Sequence, residues 1–305
     1  MKYKKKRMLI VGGTGFIGYH LAKAALRKRW TVQSLSTKKP KKLRYIPKVK
    51  YSICDISNKK ILNKKIKKNF SFVVNLGGYI DHINKHKTYN SHYLGCKNLS
   101  DIFSKKNLTT FVQMGSGGEY GRRKSPHDEK IFSNPKSIYG KSKFLATKYL
   151  LALHRRKNFP VTILRLYQAY GPKQDINRLI PIAIDSCFKN KKFPCSNGKQ
   201  YRDFVHVDDL VKSIFKCLKN KKAEGQIINI GTGKPKKIKN VINLIKNKIK
   251  SGHPQFGKIK LRQEEMLKVY PKISKAKKIL GWSPKIKFKN GLFSTIKSYQ
   301  IDEKK

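Results

Sequence analysis

Two side chains one helical turn apart are the first candidates for chemistry. The segment YGKSK places Tyr139 and Lys143 four residues apart, which puts both on one face of a helix. An ammonium beside a phenol favours the phenolate, so the pair predicts a lowered pKa for Tyr139 and proton transfer near neutral pH. The same spacing also arises between ordinary surface residues, so the pair needs support from the rest of the chain.

A hydroxyl at the end of a predicted strand adds to that pair. The apolar run TTFVQM predicts a buried strand, and Ser116 follows it with glycines on both sides and no acid before Glu119. Gly117 and Gly118 can neither give nor take a proton. Chemistry at this strand end therefore depends on Ser116 and on groups from other segments.

A glycine-rich turn near the start of the sequence predicts a bound dinucleotide. The motif GGTGFIG places Gly12, Gly15 and Gly18 between a predicted strand and a predicted helix. Glycines here allow a tight turn, let the backbone approach a pyrophosphate and let the helix pack closely on the strand. The N–H groups at the start of the helix would face the phosphates.

The elements around these motifs predict an α/β fold. Short apolar runs alternate with longer amphipathic segments through residues 1–172, which predicts a doubly wound parallel sheet of the Rossmann type. The predicted strands are RMLIVGG, TVQSLS, VKYSICDIS, FSFVVNLGG, TTFVQMGS and VTILRLYQAYGP. The clearest predicted helices are FIGYHLAKAALRKR, NSHYLGCKNLSDIFSKKN and SIYGKSKFLATKYLLALHRRKN.

The pattern changes after the dipeptide Gly171-Pro172. Residues 173–305 contain longer irregular stretches, in which LIPIAIDSCFKN and FVHVDDLVKSIFKCLKN are interpreted as helices and QIINIGTG as a strand. We predict that this part forms a smaller, mixed lobe for the substrate. Some of its pieces are expected to pack back onto the first domain.

The composition is strongly basic. Lys and Arg number 72 against 16 Asp and Glu, a formal net charge of +56 over 305 residues. Such a charge suits nucleic acid or an anionic membrane surface as a partner. However, the lysines are spread over nearly every surface-type segment, with no arginine-rich arm and no recognisable nucleic-acid module. We therefore expect a lysine-rich solvated surface, and not a nucleic-acid-binding protein.

The cysteines and the apolar segments point to a soluble protein of a reducing compartment, the cytoplasm. No CxxC pair is present, so neither a disulfide framework nor a metal site is predicted. The first residues resemble a signal peptide, but their apolar run breaks at Gly12, and no later segment has the roughly 18 apolar residues of a membrane span. The cysteines are Cys54, Cys96, Cys187, Cys195 and Cys217.

The motifs together resemble the extended short-chain dehydrogenase/reductase family of nucleotide-sugar epimerases, dehydratases and ketoreductases. Over essentially the whole chain they follow the order and spacing of that family. They are GGTGFIG, CDIS, VVNLGG, GSGGEYG, YGKSK, RLYQAYGP, YRDFVHVDDL and KILGW. The C-terminal half is most similar to nucleotide-sugar 4-reductases of the CDP-abequose synthase type, which implies that residues 173–305 bind a nucleotide sugar.

The resemblance implies a catalytic role for three residues. Ser116 would hydrogen-bond the sugar oxygen, Tyr139 would exchange the proton, and Lys143 would lower the pKa of Tyr139 and hold the nicotinamide ribose. Dehydratases of the family carry an acid directly after the hydroxyl residue, where this sequence has Gly117 and Gly118. The expected reaction is therefore hydride transfer at carbon 4 of the sugar, either in an epimerisation or in the reduction of a keto sugar.

The resemblance also implies binding residues. Arg202 and Arg262 would hold the diphosphate, and Asn177 and Leu179 would lie over the nucleobase. Gln168 and His92 stand where the family usually has Asn. The expected substrate contacts are Ser116, Gln168, Asn177, Leu179, Arg202 and Arg262. The expected cofactor contacts are Gly12, Thr14, Gly15, Phe16, Ile17, Gly18, Ser36, Lys38, Asp55, Ile56, Leu76, Gly77, Gly78, Tyr139 and Lys143.

The end of the second predicted strand bears on the choice of cofactor. NAD-selective members end this strand with an acid, whereas this sequence has Ser36 followed by Thr37, Lys38 and Lys39. Lysines near a 2′-phosphate favour NADP(H), with NAD(H) still possible, although these lysines could also belong to the general lysine excess. Ketoreductases consume NADPH from solution, whereas epimerases typically retain NAD.

The sequence thus predicts an NAD(P)-dependent nucleotide-sugar oxidoreductase acting at carbon 4. One alternative is a UDP-hexose-type 4-epimerase with a tightly held cofactor. A second, from another class, is a non-catalytic dinucleotide-binding or RNA-associated protein. The expected partners are a nucleotide-diphosphate sugar and a second copy of the chain, which would pack through the helices near Leu94–Phe103 and Lys141–His154.

Overall fold

Strands and helices alternate along the chain, as the apolar periodicity predicts. The computed structural model describes residues 6–79, 83–261 and 265–302. The strands are β1 (Arg7–Val11), β2 (Thr31–Ser36), β3 (Val49–Ile53), β4 (Phe72–Asn75), β5 (Thr110–Ser116), β6 (Val161–Leu166), β7 (Gln168–Tyr170), β8 (Lys192–Cys195), β9 (Tyr201–Arg202), β10 (Phe204–His206), β11 (Gln226–Ile230), β12 (Lys236–Lys237), β13 (His253–Phe256) and β14 (Lys268–Val269).

The helices fall between these strands. They are α1 (Phe16–Arg27), α2 (Lys59–Lys65), α3 (Lys85–Tyr89), α4 (Gly95–Phe103), α5 (Ile138–Lys157), α6 (Leu179–Phe188), α7 (Val207–Cys217), α8 (Ile238–Ile249), α9 (Ser274–Leu280) and α10 (Phe288–Asp302). A π-helical turn, Asn90–Leu94, joins α3 to α4. Short 3-10 turns lie at Lys42–Arg44, Gly117–Tyr120 and Lys221–Ala223.

Seven strands form one parallel sheet in the order β3-β2-β1-β4-β5-β6-β11. Side chains alternate between its two faces. In β1, Met8 and Ile10 join a core with α1, α7 and α9, whereas Leu9 and Val11 join a second core with α2, α4 and α5. Because both faces are covered by helices, the strands are apolar runs. The predicted α/β class, a doubly wound parallel sheet, is confirmed.

The chain after residue 172 adds one strand to the main sheet and also forms a separate core. β11 extends the sheet beside β6, and α7 packs against α1. A third apolar core lies among α6, α8, α10 and β8. Small sheets border it, in which β7 pairs with β10, β8 with β13, and β9 with β12 and β14.

Two predicted boundaries are wrong. The predicted sixth strand, VTILRLYQAYGP, divides after Leu166, because β7 leaves the main sheet to pair with β10. The predicted helix FVHVDDLVKSIFKCLKN begins only at Val207. Its first residues, Phe204–His206, are buried in succession as β10, and the His206 imidazole accepts the Asp208 N–H at the start of α7.

Three features concern the whole of the described chain. No helix in the described ranges is both long and apolar enough to cross a bilayer. All five cysteine thiols are buried and free. Within the same ranges, no cluster of three or more histidine, cysteine or acidic side chains is placed to hold a metal ion.

Candidate active site

The turn after β1 lies against the turn after β4, at the point where the order of the strands reverses. Gly12 has φ +77°, and a Cβ atom on it would lie 3.1 Å from backbone atoms of Leu76 and Gly77. A Cβ atom on Gly18 would lie 2.4 Å from the Gly12 carbonyl oxygen, so α1 packs closely on this turn. Parallel sheets bind ligands at this edge and at this switch point.

The first turn of α1 provides N–H groups for a phosphate. Gly15 precedes the helix without a side-chain cap, and the first turn contains no acidic residue. The N–H groups at a helix start lack intrahelical partners and carry the positive end of the helix dipole. These residues therefore fit the pyrophosphate of a dinucleotide, and the predicted contacts from Thr14 to Gly18 lie together here.

Ser36 ends β2 beside the same turn. Its Oγ accepts the Thr14 N–H at 3.3 Å and lies 3.4 Å from the Ser34 Oγ. Lys38 and Lys39 follow and are exposed. A hydroxyl therefore occupies the strand end at which an acid would exclude a 2′-phosphate.

The ends of β3 and β4 complete this edge of the sheet. The Asp55 carboxylate accepts the N–H and the hydroxyl of Ser57 at 2.9 and 2.8 Å. Ile56 is buried, and its Cδ1 lies 3.6 Å from the Cβ position of Gly77. Gly78 is exposed at the next position. The structure thus brings the predicted contacts after β3 and β4 to the same edge as those after β1 and β2.

Ser116 and Tyr139 meet where β5 ends and α5 begins. Their side chains are hydrogen-bonded, a contact that acts against the larger raising of the Tyr139 pKa by burial. The Ser116 Oγ also accepts the Gly118 N–H at 3.1 Å, and Ser137 caps the first turn of α5 by accepting the Gly140 N–H. The predicted hydroxyl and phenol therefore lie together.

Lys143 lies below Tyr139 on α5 and is buried. Its Nζ donates to the Met114 carbonyl oxygen at 2.7 Å, and burial lowers its pKa to about 8. The predicted direction for Tyr139 is wrong, since burial raises the pKa of Tyr139 despite the opposing effects of Ser116 and Arg178. The physical reason is that desolvation disfavours the phenolate.

Two residues that the sequence did not single out as site residues lie near Tyr139. His92 is buried, and its ring stands edge-on to the Tyr139 ring with centroids 5.0 Å apart. Arg178 is near enough for its charge to lower the pKa of Tyr139. Only the departure from the usual Asn marked His92 in the sequence, and no local signal marked Arg178.

The residues that follow Ser116 pack against other parts of the protein. Glu119 is fully buried and accepts hydrogen bonds from the Ser116 N–H and from Arg165, so its carboxylate is occupied by contacts within the chain. A Cβ atom on Gly117 would lie 2.9 Å from the Tyr167 ring. No acid therefore stands directly after Ser116.

The predicted substrate residues are distributed over several segments. Gln168 lies exposed in β7, Asn177 is exposed before α6, and Leu179 begins α6. Arg202 in β9 is ion-paired with Glu265 and donates to the Tyr201 carbonyl at 2.7 Å. Arg262 lies outside the described residues.

A family model for the NAD dependent epimerase/dehydratase family matches residues 8–231. The chain belongs to this family. It is 31% identical to a protein of Methanocaldococcus jannaschii provisionally named UDP-glucose 4-epimerase, over 93% of this chain and 95% of that protein. It is also 31% identical to the CDP-abequose synthase of Salmonella typhimurium, over only 44% of this chain and 46% of that one.

A solved structure agrees with the fold. The UDP-glucose 4-epimerase of Thermotoga maritima, determined with UDP-glucose, superposes with a TM-score of 0.92, covers 97% of this chain and 99% of its own, and is 22% identical. The predicted family is confirmed. Two further predictions are also confirmed. The chain is an enzyme, and its broad class of activity is nicotinamide-dinucleotide-dependent chemistry on nucleotide sugars.

Proposed function

We propose that this enzyme interconverts a hydroxyl and a ketone at carbon 4 of a nucleoside-diphosphate sugar by hydride transfer. The observation that carries the proposal is the Ser116–Tyr139 hydrogen bond at the dinucleotide edge of the sheet. Tyr139 lies one helical turn from Lys143 on α5. A bound nicotinamide would supply or accept the hydride. No other described cluster combines a hydroxyl, a phenol and a buried ammonium at that edge.

The three side chains have distinct proposed roles. The raised pKa keeps Tyr139 protonated at neutral pH, so Tyr139 can donate a proton to the carbon-4 oxygen when a ketone is reduced. In the opposite direction, oxidation of the hydroxyl, the phenolate form of Tyr139 would take the proton. Ser116 would orient the same sugar oxygen. Lys143, held by the Met114 carbonyl, would hold the nicotinamide ribose.

The first candidate reaction is 4-epimerisation of a UDP-hexose. The similarity to the Methanocaldococcus protein spans 93% of the chain, whereas the similarity to CDP-abequose synthase spans 44%. The second candidate, reduction of a 4-keto sugar, is favoured by Ser36 and the adjacent lysines, which suit NADP(H) better than NAD(H). Titration with both cofactors separates the two reactions.

We further propose that residues 1–172 hold the dinucleotide and residues 173–305 hold the nucleotide sugar. Arg202 would hold the diphosphate together with Arg262, in which case the phosphate would compete with Glu265 for the Arg202 guanidinium. Asn177 and Leu179, together with Gln168 from the end of the first part, would contact the nucleoside and the sugar.

The assembly and location are proposed as well. A homodimer would form through α4 and α5, and the buried, free cysteines are consistent with the reducing cytoplasm. The deciding experiment for the function is turnover of a panel of UDP-, CDP-, GDP- and dTDP-linked hexoses and their 4-keto forms, with NAD(H) and with NADP(H). Absence of turnover with every pair would contradict the proposal.

A further inference from the structure

A buried carboxylate connects the strand that carries Ser116 to the helix that carries Tyr139. Glu119 is 0% exposed, and its Oε1 accepts the Ser116 N–H at 2.9 Å. Its Oε2 accepts the Thr147 hydroxyl, also at 2.9 Å. One side chain therefore bonds both to the backbone at the end of β5 and to α5.

Thr147 is placed so that this bond fixes the catalytic face of α5. It follows Lys143 by four residues and Tyr139 by eight, so the three lie along one stripe of the helix. A displacement of α5 relative to the end of β5 would stretch the bonds of Glu119 and the Ser116–Tyr139 hydrogen bond together. The carboxylate thus sets the separation of the two groups proposed to contact the sugar oxygen.

The interior is built to hold this charge. Arg165 contacts the Glu119 Oε2 through Nε at 3.0 Å and Nη2 at 2.9 Å, and its guanidinium lies 4.4 Å from the centre of the Tyr120 ring. A Cβ atom at Gly115 would lie 2.6 Å from the Glu119 Oε1, so the glycine leaves the necessary room. A buried ion pair is costly unless it is fully paired, as this one is.

We propose that Glu119 is a positioning residue of the active site, which holds the backbone of Ser116 against the helix that bears Tyr139 and Lys143. This role rests on the proposed function. Its geometry is independent of which sugar is bound, since every partner of the carboxylate belongs to the chain itself.

The charge of Glu119 has a second effect. It raises the pKa of Lys143, against the larger lowering by burial, and it raises the pKa of Tyr139. The other groups that influence these two are Cys96 on α4, which raises the pKa of Lys143, and Ser116 and Arg178, which lower that of Tyr139. Neutralising Glu119 should therefore move both titrations to lower pH.

The test uses paired variants in one background. Glu119→Gln alone leaves a buried, unpaired Arg165 and can fail to fold, so Arg165→Met is included in both proteins. Glu119→Gln/Arg165→Met keeps an acceptor for the Ser116 N–H, whereas Glu119→Met/Arg165→Met removes it. The two proteins differ only in the group that binds Ser116 and Thr147.

Amide hydrogen exchange measured by NMR reports the bond directly. We expect the Ser116 amide to exchange about fivefold faster or more in the Met variant than in the Gln variant, since a lost buried hydrogen bond shifts an equilibrium by about that factor. With UDP-galactose and NAD⁺ as the probe, kcat should fall about 10- to 100-fold between the two, because small misplacements cost that much. Equal exchange at Ser116 overturns the proposal.

The charge effect has its own readout. NMR titration of the Lys143 side chain, assigned with Lys143→Met, should give a lower pKa in Glu119→Gln/Arg165→Met than in Arg165→Met, because only the former loses the Glu119 charge that raises the pKa of Lys143. An unchanged Lys143 titration overturns the electrostatic part.

A matched pair of variants tests the contact between Glu119 and α5. Thr147→Val should lower kcat, whereas Thr162→Val, which loses a buried hydroxyl bond to the Ala223 carbonyl, should not.

Failure of this inference can be told apart from failure of the proposed function. If Tyr139→Phe retains full turnover, the proposed function is wrong, whatever Glu119 does. If Tyr139→Phe is inactive but the paired variants match in Ser116 exchange and in kcat, the function stands and the role of Glu119 is wrong.

Discussion

The imidazole ring of His92 stands edge-on to the phenol ring of Tyr139, with centroids 5.0 Å apart and planes at 80°. The ring of Tyr139 is thus held by packing against His92, and its hydroxyl by the hydrogen bond to Ser116. Since His92 also contacts the Tyr79 carbonyl at 3.1 Å, the ring contact is anchored to the loop after β4. Removal of the hydroxyl alone should leave this packing in place.

Tyr139→Phe therefore tests the acid-base role without disturbing the ring. We expect kcat to fall about 100-fold or more, since general acid-base catalysis typically contributes that much, while the cofactor still binds. Steady-state kinetics and cofactor fluorescence measure the two quantities. Tyr149→Phe, on the same helix α5 as Tyr139, loses a hydroxyl bonded to Asp101 on α4; it is the control and should remain active. Normal turnover of Tyr139→Phe would rule out the role.

The proposed preference for NADP(H) rests on Ser36 and Lys38. Charge-assisted hydrogen bonds to a 2′-phosphate are worth about 1.5 to 3 kcal/mol, so NADP(H) should bind about 10- to 150-fold more tightly than NAD(H). Ser36→Asp should reverse this preference, and Lys38→Ala should weaken NADP(H) alone. Fluorescence titrations of the three proteins measure these affinities. Equal or tighter NAD(H) binding by the unmodified enzyme would favour the epimerase.

Dehydration of the sugar should be absent. Elimination of water from carbons 5 and 6 needs an acid and a base, whereas Gly117 and Gly118 follow Ser116 and the Glu119 carboxylate is bonded inside the protein. Incubation with dTDP-glucose or GDP-mannose and NAD⁺ should yield no 4-keto-6-deoxy product by mass spectrometry. Formation of that product would contradict the assignment to epimerisation or reduction.

Lys143 should make stability depend on pH in a defined direction. Burial lowers its pKa from 10.5 in the unfolded chain to about 8, so between these values the unfolded state binds more protons. The contribution of Lys143 to the free energy of unfolding should therefore rise with pH through that window, by up to about 3 kcal/mol at 1.36 kcal/mol per pH unit. Urea denaturation of the unmodified enzyme and of Lys143→Met, compared at each pH, removes the contributions of the tyrosines. A difference that is constant from pH 8 to 10.5 would contradict this assignment.

The homodimer proposed through α4 and α5 has a direct test. Light scattering at micromolar concentration should give twice the chain mass of 35.3 kDa. Leu145 is 38% exposed on α5, so we expect Leu145→Arg to place a charge in the proposed interface and to shift the measured mass toward that of the monomer. A monomeric unmodified enzyme would contradict the proposal.

The local sequence was enough to predict the elements that build the site. Apolar runs set the strands, the glycines after β1 set the turn, and the four-residue spacing placed Tyr139 above Lys143 on one helix. These features depend on periodicity and turn chemistry, which neighbouring residues determine. The alternation of strands and helices then brought the strand ends to one edge, because parallel strands with helical crossovers all point the same way.

Only the tertiary structure decided what surrounds those residues. Glu119 meets Arg165 across 46 positions of sequence, and no periodicity connects them. The division of the sixth predicted strand depended on the pairing of β7 with β10, a contact between distant segments. The pKa of Tyr139 is raised and not lowered because desolvation by the folded interior outweighs the contacts that lower it, and burial is a property that spacing along the chain cannot report.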